Sequence, residues 1–419
     1  MTLDPTRTVA ELKELRELTG DTDGAQRVAW TETWARARAW FATLAAELPL
    51  VVTTDRAGNT WYTLHGESAQ TLIIGSHLDS VPNGGWLDGC LGVLAGLAVL
   101  RRIAAEGTPA LTIRLVDWAD EEGARFGRSL FGSSAASGYF DPEVLAELRD
   151  REGVRLVDAV AAYGVDLGTA RHAAAELEHA VAYLELHIEQ GPVLERMQIP
   201  MGVVIGTFGV ERNQFMFRGQ AAHAGSTPMD ARRDAFAAAA KLGLAIREIA
   251  NRHDGVCTLG SCVTRPGIVT AVVGECDVKL DQRNMDAGNL AAMWHDARTA
   301  AQQFAAEEGC DVTSELIWQI APIRFDEQLI ALAEEAVTEV CGACHRLPSG
   351  PLHDAAEVAR AGVPTVMVFV QSLRGISHNK IEDTREEHLL LAVQALDALA
   401  RKVIAARVGG GAGARARIP

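Results

Sequence analysis

The sequence alternates short, mainly apolar runs of strand length with longer runs that have helical spacing. Thr71–Ser76 and Leu111–Trp118 are strand-like, and Gly89–Glu106 between them is rich in Leu and Ala at helical spacing. Val181–His187 and Thr365–Val370 are two further apolar runs of strand length. Strands buried on both faces and joined by crossover helices are typical of a parallel sheet. The sequence therefore predicts an α/β fold whose mostly parallel sheet is assembled from both ends of the chain.

The middle of the chain follows a different pattern. Strand pattern over Gln214–Arg218 is followed by a helix over Arg232–Arg252, strand pattern over Ile268–Arg283 and a helix over Gly288–Glu307. This β-α-β-β-α-like order predicts a small inserted α+β domain, with two helices on one face of its sheet. We expect a catalytic domain over 1–207 and 320–408, an inserted domain over 208–319 and a disordered tail over 409–419.

Composition excludes several classes of function. The formal net charge of −16 argues against nucleic-acid binding, because proteins that track phosphates need a basic surface. No apolar run approaches the roughly 20 residues that span a bilayer, and Met1–Glu17 lacks the apolar core of a signal peptide. The seven cysteines have no regular spacing, which favours a reducing compartment. We expect a cytoplasmic protein that binds neither nucleic acid nor membrane.

One cysteine pattern invites a different interpretation. Cys341-Gly-Ala-Cys344-His345 matches the C-x-x-C-H string of c-type haem attachment, which requires export. The string follows a helical pattern and no export signal precedes it, so we interpret it as a coincidence and also disfavour a redox pair. A protein that carries a metal or haem without catalysis stays as an alternative of another class.

Residues suited to metal binding follow the first apolar run. His77 and Asp79 come directly after that strand pattern and lie on one side of an extended chain, while Asp88 precedes the predicted helix. Imidazole nitrogens and carboxylate oxygens are common ligands of Zn²⁺, Mn²⁺, Co²⁺ and Ni²⁺. The ordinary alternative is a hydrogen-bonded turn histidine and an aspartate that caps the helix, and this segment alone does not decide between them.

Three further strand patterns end in similar residues. Glu121 and Glu122 follow the second run, His187 ends the third, and His378 follows the last. Each taken alone is most often a solvated loop acid or a loop histidine. Together they bring three histidines and at least two carboxylates to one edge of the sheet, without a cysteine. This set predicts two divalent ions bridged by a carboxylate, with one of the adjacent glutamates free to act as a general base.

Several distinctive sequence blocks follow one another along the chain. They are GSHLDSVPNGGWLDGCLGVLAG, DEEGARFG, LHIEQGPVLE, HAGSTPMDARRDA, the D-x-R of Asp281 to Arg283, and GISH. These blocks resemble those of the M20-type amidohydrolases, in particular their hydantoinase/carbamoylase branch, and the resemblance extends over about residues 55–384. This branch includes N-carbamoyl-L-amino acid hydrolases, allantoate amidohydrolases and β-ureidopropionases.

The resemblance implies two metal sites that share one ligand. His77, Asp88 and His187 would hold one ion, and Asp88, Glu122 and His378 the other. Glu121 would be the general base that activates the attacking water. Asp79 would orient His77. His187 favours the carbamoylase branch over a dipeptidase, because related peptidases usually have a carboxylate there.

The resemblance also implies where the substrate binds. The inserted domain would act as a lid and would form a homodimer, with His223 polarising the scissile carbonyl and Arg283 binding the substrate carboxylate. Other residues implied in substrate contact are Gln190, His353, Gly375 and Ser377. The sequence departs from the family at this end. Thr270–Gly274 stands where the family often has an N-V-I-P-G block, SGPLHD replaces the usual S-G-A-G-H-D, and Lys380 stands where proline is common.

The resemblance thus implies a metal-dependent hydrolase of linear C–N bonds, most closely an N-carbamoyl-L-amino acid amidohydrolase or an enzyme acting on a related ureido acid. It would use two divalent ions (Zn, Mn, Co or Ni) and a small carboxylate substrate. An aminoacylase, peptidase or simple amidase on the same scaffold is the alternative within enzymes.

Overall fold

The computed structural model describes residues 2–409, so the tail predicted over 409–419 lies, beyond Gly409, outside the described residues. By their contacts, the residues divide into two compact units. The first unit consists of the chain up to Ile205 and from Phe325 onward, and the second is Gly206–Arg324. Among the described residues, no helix is both long and apolar enough to cross a membrane.

Twelve α-helices are present in the described residues. They are α1 Pro5–Thr19, α2 Glu32–Ala45, α3 Cys90–Glu106, α4 Phe131–Ser137, α5 Pro142–Ala146, α6 Leu156–Ala161, α7 Val193–Met197, α8 Ala235–Arg252, α9 Ala287–Glu307, α10 Glu327–Cys341, α11 Asp354–Arg360 and α12 Glu386–Gly409. Short 3₁₀ helices cover Ala170–Leu177, Met229–Ala231 and Leu373–Gly375.

The described residues also contain seventeen β-strands. They are β1 Gly20–Asp21, β2 Gly24–Ala25, β3 Val51–Thr54, β4 Thr60–Leu64, β5 Ser68–His77, β6 Leu111–Trp118, β7 Ala180–Ile188, β8 Met201–Thr207, β9 Gly209–Arg218, β10 Ala222–His223, β11 Val256–Arg265, β12 Ala271–Val272, β13 Glu275–Asn284, β14 Asp311–Ile320, β15 Ile323–Arg324, β16 Arg346–Ser349 and β17 Thr365–Val370.

The sheet of the first unit has four parallel strands at its centre, in the order β17-β7-β5-β6. Antiparallel strands extend it on both sides, β8 next to β17, and β4 with β3 beyond β6. The α/β fold with a largely parallel central sheet is confirmed, and the antiparallel edges are an addition that the sequence did not predict. The carboxyl ends of all four central strands therefore meet at one edge.

Helix α3 lies close against this central sheet because small residues face it. The helix packs on β5, β6 and β7. A Cβ added at Gly92 would overlap the carbonyl oxygen of Leu186 and lie 2.7 Å from the Cβ of Ser76. A Cβ added at Gly96 would meet only side-chain atoms, the nearest being Leu115 Cδ1 at 2.6 Å. Gly92 thus sets the approach of α3 to the two strands that end in His77 and His187.

The second unit is a four-stranded antiparallel sheet in the order β11-β13-β9-β14, with α8 and α9 packed on one face. Its core includes Phe215, Phe217, Leu242 and Met293. The chain order β9-α8-β11-β13-α9-β14 is that of a ferredoxin-like fold, and this part of the fold prediction is also confirmed.

Three local predictions in the second unit differ from the structure. Ile268 and Val269, which the sequence predicts to lie in a strand, are exposed between β11 and β12. Strands β11 and β14 were not predicted, because most of their side chains are exposed or half-buried and apolar alternation is weak. Helix α8 begins three residues later than predicted, because the Asp234 carboxylate accepts the N–H groups of Phe236 and Ala237.

The approach of α3 can be tested with two glycine variants. We expect Gly92→Ala to lower the free energy of unfolding by about 1–3 kcal/mol, because the new methyl group meets backbone that cannot rotate away. Gly96→Ala should cost less, since Leu115 can change rotamer and alanine favours a helix by about 1 kcal/mol over glycine. Urea unfolding followed by circular dichroism measures both. Equal losses, or a larger loss for Gly96→Ala, would contradict this packing.

Candidate metal centre

The predicted ligands meet at the carboxyl edge of the four parallel strands. His77 is the last residue of β5, and His187 lies at the end of β7. Glu121 and Glu122 lie in the turn that follows β6, and His378 follows β17 after a 3₁₀ turn. Because β17, β7, β5 and β6 are neighbours, these side chains come from adjacent positions of one sheet edge. The sequence separates them by up to three hundred residues, but the topology brings them together.

The Asp88 carboxylate lies between two groups of possible ligands. Its Oδ1 is 3.1 Å from His187 Nε2 and 3.8 Å from His77 Nε2. Its Oδ2 is 3.4 Å from His378 Nε2, which is in turn 3.2 Å from Glu122 Oε2. The ligand atoms of each group all lie within 4.8 Å of one another. One oxygen of Asp88 thus faces each group, which is the arrangement that a bridging carboxylate needs.

The donor atoms of both groups fit divalent cations. His77 Nε2 and His187 Nε2 are buried and have no hydrogen-bond partner among the described residues. Nitrogen and oxygen ligands that bind Zn²⁺ at 2.0–2.2 Å lie about 3.4 Å apart in a tetrahedron, close to the separations found here. In the described part of the chain, the ion-pair partners of Asp88, Glu121 and Glu122 are all histidines. Buried acids without Lys or Arg partners favour bound cations.

A third group of possible ligands consists of Glu185, His187 and His353. It shares His187 with the first group, so the two compete for the same nitrogen. The Glu185 carboxylate already accepts three hydrogen bonds, from Ser76 Oγ, Tyr183 Oη and the N–H of Ala355. Three of its about four acceptor sites are therefore occupied by the protein, and this group does not require an ion.

Glu121 is positioned beside the first group and is not a solvated loop residue. The residue is only 7% exposed, and Oε2 lies 3.7 Å from His77 Nε2. Oε1 lies 3.9 Å from His353 Nδ1. Burial raises the pKa of Glu121 well above its ordinary value, against the opposing effect of His77. A buried carboxyl group with a raised pKa is suited to accept a proton and pass it on.

Asp79 holds two parts of the centre in place. Its Oδ1 accepts the N–H of Glu121 at 3.2 Å, and its Oδ2 accepts the N–H of Glu122 at 3.1 Å. Oδ1 also lies 3.5 Å from His77 Nδ1. The Asp79 carboxylate thus fixes the turn that carries both glutamates. His77 Nδ1 is nearer to the backbone carbonyl of Asp79, at 3.2 Å, and the orienting role of the Asp79 side chain stays a prediction. Asp88 does not cap a helix, since α3 follows Gly89 without a side-chain cap.

Two of the residues predicted to contact substrate in the first unit, Gln190 and Ser377, lie at the Asp88 carboxylate. Gln190 Nε2 donates to Asp88 Oδ2 at 2.9 Å and to Ser377 Oγ at 3.1 Å. His353 is buried against His187, and burial lowers the pKa of His353 well below its ordinary value. Gly375 has a φ of +62° and leaves no room for a Cβ beside Pro192. Their contact with substrate stays a prediction.

His223 and Arg283 lie in the second unit. His223 is exposed, and its Nδ1 accepts the N–H groups of Gly225 and Ser226, so the proton of the neutral ring is on Nε2. Arg283 donates through Nε to Asp281 Oδ1 at 2.8 Å, which holds the guanidinium within the D-x-R motif. Their roles toward a substrate stay predictions.

The C-x-x-C-H string forms no metal group in the described residues. Cys341 is the last residue of α10, and Cys344 lies beyond it. Both are half-buried free thiols, and burial raises the pKa of each to about 11. Thiols that are protonated to such a degree are poor nucleophiles and poor metal ligands.

Three buried acids near the centre were not predicted to matter. Glu185 and Asp354 are almost completely buried behind His187 and His353, and Glu382 is 2% exposed. A signal for Glu185 exists, because it is an acid inside an apolar run, two residues before His187. Glu382 has no such signal, since it lies in the charged stretch NKIEDTREE.

Comparison with known proteins identifies the family of this chain. The model of peptidase family M20/M25/M40 matches residues 73–402. An N-carbamoyl-L-amino acid amidohydrolase of Geobacillus stearothermophilus is 37% identical over 377 residues, 89% of this chain and 92% of the relative. An allantoate amidohydrolase of Bacillus subtilis is 31% identical, covering 91% of this chain and 93% of the relative. A crystal structure of a hydantoinase/carbamoylase family amidase from Burkholderia multivorans has a TM-score of 0.87 at 32% identity, covering 96% and 98% of the two chains.

The fold and the residues at the sheet edge thus define a metallopeptidase-like hydrolase. The chain belongs to peptidase family M20/M25/M40, and its relatives are amidohydrolases of the hydantoinase/carbamoylase branch. The predicted family and the prediction of an enzyme that hydrolyses C–N bonds are confirmed.

Metal binding can be tested without a substrate. Adding Zn²⁺ to chelator-treated protein should raise the free energy of unfolding by about 2.7 kcal/mol when free Zn²⁺ is at 100 times its dissociation constant. The reason is that the folded chain alone assembles His77, Asp88 and His187. His187→Ala should reduce this stabilisation, whereas His65→Ala, at the opposite end of the sheet, should not. Thermal unfolding with and without Zn²⁺ measures it, and unchanged melting temperatures would argue against the centre.

Proposed function

We propose that the chain hydrolyses an N-carbamoyl-L-amino acid or a related ureido acid with two divalent ions. The reaction consumes one water and yields the free amine, CO₂ and ammonia. The observation that carries the proposal is the Asp88 carboxylate, whose two oxygens face two separate groups of ligands with Glu121 beside one of them. His77 and His187 would hold one ion with Asp88, and Glu122 and His378 the other.

The names of the relatives support the substrate class. N-carbamoyl-L-amino acid amidohydrolase and allantoate amidohydrolase are the names of two relatives that each match about nine tenths of this chain. Both substrates named there carry a ureido group, whose C–N bond is the one we expect this chain to cut. Every predicted metal ligand is present in this chain. We therefore propose the same reaction type and the same cleaved bond as in these relatives.

The chain's own residues supply the proton transfers. Bound divalent ions would polarise the scissile carbonyl and make water easier to deprotonate. Glu121 would accept the proton of the attacking water and deliver it to the leaving nitrogen. Asp79 would keep Glu121 and His77 in register through the hydrogen bonds and the contact that it makes with them. Burial of Glu121 favours this role, because it keeps the carboxyl able to hold the proton between the two transfers.

We further propose that the second unit supplies the substrate contacts. The tautomer of His223 leaves Nε2–H as a donor, which suits a group that stabilises a developing oxyanion. The planar guanidinium of Arg283 suits a carboxylate. That this unit acts as a lid, that it mediates a homodimer, and that the protein is cytoplasmic stay predictions of the resemblance and the composition.

The base can be tested by a conservative variant. Glu121→Gln keeps the shape and the uncharged contacts but cannot accept a proton, so we expect kcat for ammonia release from an N-carbamoyl-L-amino acid to fall by about 10²–10⁴-fold. Zn²⁺ stabilisation of the variant should persist, since Glu121 is in neither ligand group. A kcat near that of the wild type would remove Glu121 as the base.

The same assay separates the proposed substrate from the alternative within enzymes. The metal-reconstituted wild-type chain is given N-carbamoyl, N-acetyl and dipeptide forms of one amino acid, and release of ammonia and amine is followed. Turnover of the acetyl or peptide form alone would indicate an aminoacylase or peptidase.

The carboxylate contact can be tested at Arg283. Losing a charge-assisted bidentate pair is worth about 1.5–3 kcal/mol, so Arg283→Ala should lower kcat/KM for a ureido acid by about 10–150-fold. A ureido substrate whose carboxylate is replaced by an amide should lose little. Arg212→Ala is the control, because Arg212 bonds the same Asp281 but is more exposed. Equal losses for the acid and the amide would contradict the contact.

A further inference from the structure

Glu382 lies in the segment that follows His378 and is 2% exposed. Its Oε1 accepts the N–H groups of Leu87 and Asp88, each at 3.1 Å. Its Oε2 accepts the hydroxyl of Ser377 at 2.8 Å. Three donors from two distant parts of the chain therefore point at one buried carboxylate, which satisfies all of them.

The turn before Asp88 is shaped around this carboxylate. A Cβ added at Gly85 would overlap the carboxyl carbon and both oxygens of Glu382. Only glycine at position 85 therefore allows the turn to approach Glu382 so closely. The same turn carries Asp88, and helix α3 begins directly after Gly89.

A second path connects Glu382 to the side chain of Asp88. Gln190 Nε2 has two hydrogens and donates one to Asp88 Oδ2 and one to Ser377 Oγ. The Ser377 hydroxyl is then free to donate its single hydrogen to Glu382, the nearer of its two acceptors. Glu382 thus holds Asp88 at the backbone directly, and at the carboxylate through Ser377 and Gln190.

Asp79 makes the same kind of contact on the other side of the centre. It accepts the N–H groups of two consecutive residues, Glu121 and Glu122, as Glu382 accepts those of Leu87 and Asp88. Each turn that carries acidic groups of the centre is therefore fixed by one buried carboxylate. A buried carboxylate that fixes a turn in this way also fixes the orientation of the predicted ligands that the turn carries.

We propose that Glu382 is a positioning residue of the metal centre. It ties the turn that carries Asp88 to the segment that carries His378, so that the shared carboxylate presents one oxygen to each ligand group. The inference rests on the proposed metal centre. It assigns no contact between Glu382 and the ions or the substrate.

The test compares Zn²⁺ affinity among the full-length chain and three variants. Glu382→Ala leaves the two backbone N–H groups without their acceptor, and we expect a loss of Zn²⁺ affinity of about 10–100-fold at the weaker site. Glu382→Gln keeps an oxygen acceptor for the two backbone N–H groups. Its Zn²⁺ affinity should stay within about 3-fold of the wild type, a smaller change than the loss of a supporting group typically causes. Competition with a fluorescent chelator measures affinity without turnover.

The matched control is Asp55→Ala. Asp55 is a half-buried carboxylate that also accepts two backbone N–H groups, those of Ala57 and Asn59, but its turn carries no predicted ligand. We expect this variant to melt at a lower temperature and to bind Zn²⁺ like the wild type. In turnover assays, Glu382→Ala should lower kcat more than it changes KM.

The outcomes separate the inference from the proposed function. Wild-type Zn²⁺ affinity in Glu382→Ala would overturn the positioning role while leaving the metal centre intact. Equal loss in Glu382→Ala and Asp55→Ala would also overturn it, because general destabilisation would then explain the effect. If the wild-type chain itself binds no Zn²⁺, the proposed function fails and the positioning role fails with it.

Discussion

The candidate centre depends on the burial of the Asp88 carboxylate between two groups of histidines and acids. Asp88 is 3% exposed, and an ionised carboxylate at such a place costs several kcal/mol unless charges or donors compensate it. The protein compensates part of this cost with the Gln190 amide and with the three histidines around it. Glu121 and Glu122 have no Lys or Arg partner within salt-bridge distance in the described residues. Cations from solution are the natural complement of such a set.

The backbone around the centre adopts conformations that non-glycine residues rarely take. Asp120, Gln190 and His378 have φ angles of +56°, +55° and +54°, and each adjoins or belongs to the centre. Left-handed backbone at such residues costs of order 1 kcal/mol each and persists only where surrounding contacts enforce it. The buried carboxylates of Asp79 and Glu382 provide contacts of that kind. Strain and support therefore occur at the same sheet edge, and both act on the turns that carry the predicted ligands.

The sequence predicted those residues of the candidate centre that can be recognised from their immediate neighbours in the chain. A histidine or acid directly after an apolar run, as at His77, Glu121 and His187, becomes a neighbour of the others once the strands are parallel and adjacent. Glu382 could not be found in this way, because its proposed role depends on hydrogen bonds with a turn almost three hundred positions earlier in the chain. The fold was predictable where burial on both faces gives apolar runs. It was not predictable at β11 and β14, whose exposed side chains leave the pattern ambiguous.

The predicted metal ligands lie in the first unit, whereas His223 and Arg283, two of the predicted substrate contacts, lie in the second. Every predicted metal ligand of the first unit is present, whereas the clearest departure from the family pattern, the run that begins at Thr270, lies in the second unit. That run pairs with the segment of His223: His223 is opposite Ala271, and Ala224 donates its N–H to the Thr270 carbonyl. The residue that replaces the family's asparagine thus adjoins the histidine expected to polarise the scissile bond. Under the proposed function, a change at this position affects the surroundings of the substrate and none of the predicted metal ligands, so the proposed chemistry is compatible with a ureido acid different from those of the relatives.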